Sequence, residues 1–499
     1  MAQDGAPLSA IDWLSRSVTA PPLTPADPPL PDEPPVTDSA AAPEVTTTPL
    51  DAPSPDRVGL LPTNVTGLPQ SLWAASDVDT LVALIADRPL ASVPAVQDLM
   101  ITLILAKADP PGGAGPGGEM LLARVDRLLN HGALAPAQAL IEAADTETPA
   151  IFARLFDISL LTGTEDAACE LLRAQADLAP TYPARVFCLA RNGDWRGAAL
   201  TLNTARALGD ISDEEDELLS RFLDPALSEE AEPLAPPSRP SPLVFLIREA
   251  IGEGLPTAGL PLAFAHADLR STASWRSQIE AAERLVRDGL LPAAELFAAY
   301  TRQKPAASGG VWDRAAAVQD FDAALQSGEA SDIADTLPEA FDAFAQIRAE
   351  VAFATLFAED LLALPLPENQ AVADLVVRVG LLSPLYETVA TSADLADAVD
   401  PFLSAIARGE TPADGLAMTS RDRAVADAFA GADPPERFET LLAEDKLGET
   451  ILRAIALFNA GLSDDPSLVR DALATFRAVG LETTARRAAL QYLLLERDG

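Results

Sequence analysis

The chain has 499 residues, of which 48 % are hydrophobic and only 5 % aromatic, and its 75 acidic and 35 basic residues give a formal net charge of −40. That charge repels phosphate groups and therefore disfavours nucleic-acid binding and docking on anionic membranes. The abundant small apolar residues suit closely packed helices better than a β-sandwich. The densest apolar run, residues 100–106, is too short to cross a bilayer, so we expect an all-α protein without a membrane span.

The N-terminal region, residues 1–70, holds 15 of the 43 prolines and predicts a disordered, extended tether. One short apolar motif, residues 9–15, interrupts it with Ile11, Trp13 and Leu14. An apolar motif on a tether is typical of a short linear binding motif. The alternative is that the motif folds back onto the body of the protein.

Helical periodicity begins near residue 71 and continues to the C-terminus, with one acidic and proline-rich interruption. We therefore predict an N-terminal helical-repeat array over residues 71–227, a linker over 228–242 and a C-terminal helical-repeat array over 243–499.

An internal repeat supports the helical prediction, because a glycine followed five residues later by an alanine recurs between apolar helical stretches. Such a glycine ends a helix in the left-handed conformation, and the small alanine lets the next helix approach closely. The unit is a helix–turn–helix of about 30 residues, and units of this kind stack into a solenoid. The copies are Gly132 and Ala137, Gly163 and Ala168, Gly193 and Ala198, then Gly289 and Ala294, and finally Gly480 and Ala485.

The segment Asn192-Gly193-Asp194-Trp195-Arg196-Gly197-Ala198 resembles the turn between the two helices of a tetratricopeptide repeat. The resemblance covers residues 118–208, with a period shorter than the family's roughly 34 residues and with most of its aromatic and proline positions missing. It implies a curved array whose concave surface binds a peptide or a partner helix. None of the family's ligand-binding residues can be assigned to positions of this sequence.

The two cysteines, Cys169 and Cys188, are equally distant from a predicted turn at residues 178–181, which would place them side by side on neighbouring helices. This spacing fits a disulfide bond if the protein is exported. The alternative is two inert thiols in the core.

Residues typical of catalysis are scarce. Only two histidines occur, and we interpret His131 and His266 as structural residues; no phosphate loop, nucleophile elbow or metal-ligand spacing is present. Ser212 and Glu215 fit a helix capping box. The tryptophans other than Trp13 are interpreted as packing anchors: Trp73, Trp195, Trp275 and Trp312. We therefore expect no cofactor, no metal, no small-molecule substrate and no enzymatic activity.

The first residues, Met1-Ala2-Gln3-Asp4, look like an initiator placed before a mature exported sequence. With the repeats, they predict a non-catalytic scaffold in the bacterial periplasm that binds other proteins, such as cell-wall or flagellar-motor components. One alternative is a cytoplasmic tetratricopeptide-like regulator or co-chaperone. Another is a peptidoglycan-cleaving enzyme with a helical superhelix.

Overall fold

The computed structural model describes residues 54–86, 92–145, 148–229, 231–463 and 465–495. Regular structure in these ranges is helical, and β pairing is limited to two isolated bridges, Leu61 with Ala106 and Asp77 with Gly112. The all-α prediction is confirmed. The predicted motif Ile11, Trp13 and Leu14 lies outside the described residues.

Helices of the first half are mostly short, and several begin at a proline or at a side chain that caps the first turn. They are α1 (Thr63–Thr66), α2 (Val78–Ala86), α3 (Pro94–Leu105), α4 (Glu119–His131), α5 (Leu134–Ala144), α6 (Pro149–Thr162), α7 (Glu165–Ala174), α8 (Tyr182–Arg191), α9 (Trp195–Leu208), α10 (Asp213–Leu223), α11 (Ala226–Glu229) and α12 (Pro242–Ala250).

Helices of the second half follow the same rules, and short 3₁₀ turns join some of them. They are α13 (Ala265–Asp268), α14 (Trp275–Arg287), α15 (Ala293–Thr301), α16 (Val311–Ser327), α17 (Ala330–Ala345), α18 (Glu350–Leu362), α19 (Gln370–Leu382), α20 (Tyr386–Thr391), α21 (Pro401–Arg408), α22 (Ser420–Phe429), α23 (Glu436–Ala443), α24 (Leu447–Gly461), α25 (Pro466–Ala478) and α26 (Glu482–Leu494).

Helices that follow each other pack in pairs, among them α4 with α5, α6 with α7, and α8 with α9. These three pairs are the helix–turn–helix units of the region that resembles a tetratricopeptide repeat. A second kind of contact is not between neighbours: α2 and α3 pack against α24, and α3 also packs against α26. In an open solenoid each repeat contacts only its neighbours. The solenoid therefore stays a prediction, and an open solenoid would not include these distant contacts.

The seam between the early and late helices is made by specific hydrogen bonds. The backbone N–H of Ala95 donates to Gln491 Oε1 at 2.8 Å, and the N–H of Gly448 donates to the carbonyl of Leu72 at 3.0 Å. The neighbouring Trp73 is 1 % exposed. The seam therefore buries groups from helices about 400 residues apart.

Residues 54–70 are ordered, although the sequence predicted a tether up to residue 70. Asp56 is buried and accepts a hydrogen bond from the N–H of Leu121 at 2.7 Å. The guanidinium of Arg124 donates to the carbonyls of Val58 and Ile104, each at 2.5 Å, and burial lowers the pKa of Arg124 to about 10. This buried clamp holds the segment against α3 and α4, which its proline content did not reveal.

The predicted linker, residues 228–242, joins helices that share one core. A small apolar cluster contains residues of α6 to α10 together with Leu243 and Ile247 of α12. Leu234 packs against this cluster, and Arg221 donates to the carbonyl of Glu232 at 2.9 Å. The boundary between the two predicted arrays therefore does not coincide with a boundary between cores.

Substituting Gly448 with alanine tests the seam. A Cβ atom at this position would lie 2.7 Å from the carbonyl oxygen of Leu72 and would collide with the ring of Trp73. We expect Gly448→Ala to lower the free energy of unfolding by about 1–3 kcal/mol, as overpacking does in other cores. Denaturant unfolding measures this. Gly254→Ala is the control, because its nearest atom lies at 4.0 Å, and equal stability of the two variants would contradict the packing.

Candidate protein-binding surface

The five repeat glycines all have left-handed backbone, with φ between 72° and 89°. Of the alanines that follow them, Ala137, Ala168, Ala198 and Ala485 are buried, as a close approach of two helices requires. Ala294 is exposed, and the buried residues of that helix are Leu296, Ala299 and Tyr300. The turn geometry is common to the five copies, whereas the buried alanine is found in four of them.

Cys169 and Cys188 are joined in a disulfide bond, with their Cα atoms 4.9 Å apart. Cys169 lies on α7 and Cys188 on α8, and both are buried in the small core. The turn after α8 is tied to this bridge, because Asn192 Nδ2 donates to the carbonyl of Cys169 at 3.2 Å. The bridge thus joins the hairpin of α6 and α7 to the hairpin of α8 and α9, close to the turn before α9.

The start of α9 explains the sequence of the repeat turn. Asp194 caps the helix by accepting a hydrogen bond from the N–H of Gly197 at 2.9 Å. A Cβ atom on Gly197 would collide with that carboxylate, so glycine is needed for the cap in this position. Ala198, Leu202 and Ala205 then bury one stripe of the helix against the core.

Three large apolar side chains of α9 are exposed: Leu200 and Leu208 away from the buried stripe, and Trp195 at its N-terminal end. Trp195 is 52 % exposed, Leu200 69 % and Leu208 63 %. Three of the six large hydrophobic side chains that are exposed among the described residues therefore belong to one helix of 14 residues. Clustered apolar exposure of this kind marks interaction surfaces, whereas single exposed apolar residues are ordinary. We call the exposed side of Trp195–Leu208 the α9 face.

The segment that contains α8 and α9 differs in charge from the chain as a whole. Residues 178–209 contain four arginines and one aspartate, a net of +3 in a chain of net −40. Arg191 pairs with Asp166 at 2.6 Å and Arg206 pairs with Asp216 at 2.5 Å. Arg185 and Arg196 are exposed and form no ion pair or hydrogen bond within the described part of the chain. Arg196 therefore presents an uncompensated positive charge on α9.

The first helices of the hairpins are covered by the chain itself. Helices α12 and α13 pack against α6, and the 3₁₀ turn Leu262–Phe264 packs against α4. A Cβ atom on Gly132 would lie 3.2 Å from both Ala263 N and Leu262 Cγ, which shows how close this contact is. The region that resembles a tetratricopeptide repeat therefore exposes apolar residues on its last helix, while α4 and α6 are partly occupied.

The tryptophans fall into two groups. Trp73 is buried, and Trp275 and Trp312 pack with ring centroids 4.8 Å apart while Trp275 Nε1 donates to the carbonyl of Ala299 at 2.8 Å. Trp195 differs from the predicted packing anchor. Its ring centroid lies 6.3 Å from that of Phe222, and the residue is 52 % exposed. The sequence signal was the presence of Leu200 and Leu208 outside the buried stripe, whereas Trp195 is in register with it.

Both histidines lie near the Gly132 turn. His131 is the buried last residue of α4, and His266 Nε2 donates to the carbonyl of Gly132 at 2.8 Å. Burial lowers the pKa of each, and for His131 the charge of Asp288 partly opposes the effect. Two neutral rings in packed positions fit the structural role predicted for them. The capping box of Ser212 and Glu215 is formed as predicted.

Asp157 on α6 provides a test of the energetics of burial in this half of the protein. Burial raises the pKa of Asp157 from 3.8 to about 6, although the charge of Arg154 lowers it. At pH 7.5 the charged carboxylate therefore destabilises the folded state, which is a cost in free energy that the unfolded chain does not have. This cost disappears below pH 3.8, where the carboxyl group is protonated in both the folded and the unfolded state. We expect Asp157→Asn to raise the free energy of unfolding by about 1–2 kcal/mol at pH 7.5, and by little at pH 3.5. Urea unfolding at the two pH values measures this, and a gain that does not depend on pH would contradict it.

An open cavity of about 630 Å³ lies beside the seam. It is lined by Pro69, Ser71, Ala74, Ala75, Leu442, Asp445 and Leu447. One carboxylate and one hydroxyl among small and aliphatic side chains do not form a paired acid and base. Among the described residues, no group of three or more histidine, cysteine, aspartate or glutamate side chains is placed to hold a metal ion.

Comparisons with known proteins give no relative: no family model, no curated protein and no experimental structure matches this chain. Within the described ranges, no helix has the length and apolar character needed to cross a membrane. The chain is therefore interpreted from its own geometry, in which the α9 face is the strongest candidate for a functional surface.

Proposed function

We propose that this chain is a non-catalytic scaffold that binds other proteins in the bacterial periplasm. The observation that supports it best is the α9 face, where Trp195, Leu200 and Leu208 are exposed on a helix whose other side is part of the core. Tryptophan and arginine are the residues most enriched at the energetically important positions of protein interfaces. Trp195 and Arg196 stand next to each other at the start of this helix.

The disulfide bond supports the proposed periplasmic location. Bonds of this kind persist in the periplasm and outside the cell, and they are rare in the cytosol, where thiols are kept reduced. Cys169 and Cys188 are both buried and bridge neighbouring helices, so the bond contributes to the fold. A cytoplasmic regulator would hold the same two residues as thiols. The cell wall and the flagellar motor are the periplasmic machineries in which we would look for a partner first, and the absence of enzymatic activity stays a prediction.

Localisation is tested by cell fractionation with thiol trapping. The full chain, tagged and expressed from its own locus, would be recovered from periplasmic and cytoplasmic fractions and unfolded in denaturant before alkylation with a maleimide reagent, because both cysteines are buried. We expect periplasmic protein in which neither cysteine reacts until a reductant is added. Cytoplasmic protein with two reactive thiols would overturn the localisation.

Binding is tested by comparing partner recovery between matched variants. We expect Leu200→Glu to reduce the recovery of crosslinked partner at least about tenfold, because it places a charge in the apolar face. Met418→Glu is the control, since Met418 is also exposed but lies outside α9. Equal recovery with Leu200→Glu and with wild type would overturn the role of this face.

A further inference from the structure

The α9 face has the residue pattern of a helix-binding surface. Arg196, Leu200, Thr204 and Leu208 are exposed and stand at positions i, i+4, i+8 and i+12, so they form one ridge of the helix. Ala199 and Ala207 are small and exposed, which lets another helix approach the backbone between Leu200 and Leu208.

An extended peptide has no matching template here. β-augmentation needs an exposed strand edge, and the described residues contain two isolated bridges in place of strands. A partner helix needs no strand edge, because it can pack its apolar side chains between the side chains that α9 exposes.

The charges restrict the partner further. Arg196 is exposed and unpaired within the described residues, and Arg191 lies just before the turn, whereas α9 itself contains no acidic residue. The other end of α9 lies beside the acidic start of α10, to which Arg206 is linked through Asp216. Arg196 is therefore the unpaired positive charge near the start of α9, whereas Asp213 and Glu214 lie near its other end.

We propose that the α9 face binds an amphipathic helix of a partner protein, with an apolar stripe on Leu200 and Leu208 and carboxylates beside Arg196. This inference rests on the proposed function and specifies the chemistry of the partner. A parallel pairing with a second copy of α9 would bring two Arg196 side chains together, and the experiment below distinguishes a second copy from a different partner.

The experiment places a photocrosslinking phenylalanine analogue at Leu200 of the full-length protein in its native cells. Mass spectrometry then identifies the crosslinked segment of the partner. We expect a helical segment with apolar residues at helical spacing and aspartate or glutamate within one turn of them. A basic segment, a segment without helical periodicity, or a second copy of this chain would overturn the proposal.

Charge reversal gives an independent measurement. We expect Arg196→Glu to lower the crosslink yield about tenfold, and reversing the partner's carboxylate to arginine to restore it. Lys304→Glu is the matched control, because Lys304 is exposed in a loop outside α9. An unchanged yield with Arg196→Glu would overturn the charge assignment.

Failure of this inference can be told apart from failure of the proposed function. The same analogue at Met418, Val65 and Leu227 reports partners bound elsewhere, since these side chains are also exposed. Crosslinks at those positions with none at Leu200 would leave a scaffold whose binding surface is not α9. No crosslink at any position would count against both.

Discussion

Replacing Glu283 with alanine will lower the free energy of unfolding by about 3–5 kcal/mol, the range found when one partner of a buried ion pair is removed. Glu283 of α14 is 6 % exposed and accepts hydrogen bonds from Arg314 Nη2 at 2.6 Å and from Arg314 Nε at 2.8 Å. It also accepts one from the hydroxyl of the fully buried Tyr300 at 2.7 Å. Alanine would leave a nearly buried guanidinium without its counter-charge.

This network explains the direction of the Tyr300 pKa, which burial raises first and the charge of Glu283 raises further. The tyrosine therefore remains a donor throughout the physiological range. Because Glu283, Tyr300 and Arg314 come from α14, α15 and α16, the network fixes three helices together.

Two further variants test whether the loss of stability comes from the unpaired buried charge. Glu280→Ala on the same helix breaks an exposed pair with Arg276 and should cost less than about 0.5 kcal/mol. Replacing Glu283 and Arg314 together with methionine should cost less than Glu283→Ala alone, because no uncompensated charge remains. Chemical unfolding at pH 7.5 measures all three. Equal losses for Glu280→Ala and Glu283→Ala would show that the network does not stabilise the fold.

Reduction of the disulfide is the second large effect that we expect. Cys169 and Cys188 are 19 residues apart, and closing a loop of this size stabilises a protein by about 3 kcal/mol in the chain-entropy account. Because Asn192 joins the bridge to the turn before α9, we also expect the exposed Trp195 to become more mobile on reduction. Its fluorescence anisotropy can be read in a variant that lacks the other tryptophans.

The disulfide prediction is measured as the difference between denaturant unfolding with and without dithiothreitol. A variant with alanine at both cysteines is the control, since it should be insensitive to the reductant and as stable as the reduced wild type. A wild-type protein whose stability is the same in both conditions would contradict the contribution of the bond.

Local features could be predicted from the sequence, because their causes are local. A glycine after an apolar stretch specifies a left-handed helix end, and Gly132, Gly163 and Gly193 have it. Ser212 and Glu215 form a capping box because the two groups are three residues apart in the same turn. The helical class follows from many such signals that agree.

The distant contacts could not be predicted, because no local pattern specifies them. Gln491 accepts a hydrogen bond from Ala95, and Gly448 faces Trp73, but neither pair has a signature in its own segment. The ordering of residues 54–70 depends likewise on Arg124, a residue that looked like one more charge on a helix. For the candidate site, the repeat pattern identified Ala198 as a residue of close approach, whereas the exposure of Trp195 depends on what packs above it, which the sequence does not state.

The bond between Ala95 and Gln491 also has a consequence for how the protein is made. In a linear array, each repeat can fold as soon as it has been synthesised, because its contacts are local. Here α2 and α3 obtain their late contacts only when α24 and α26, residues 447–494, have been synthesised. Long-range pairing of this kind slows folding. We therefore expect a slow final step of assembly, during which the apolar sides of α2 and α3 depend on protection by a chaperone.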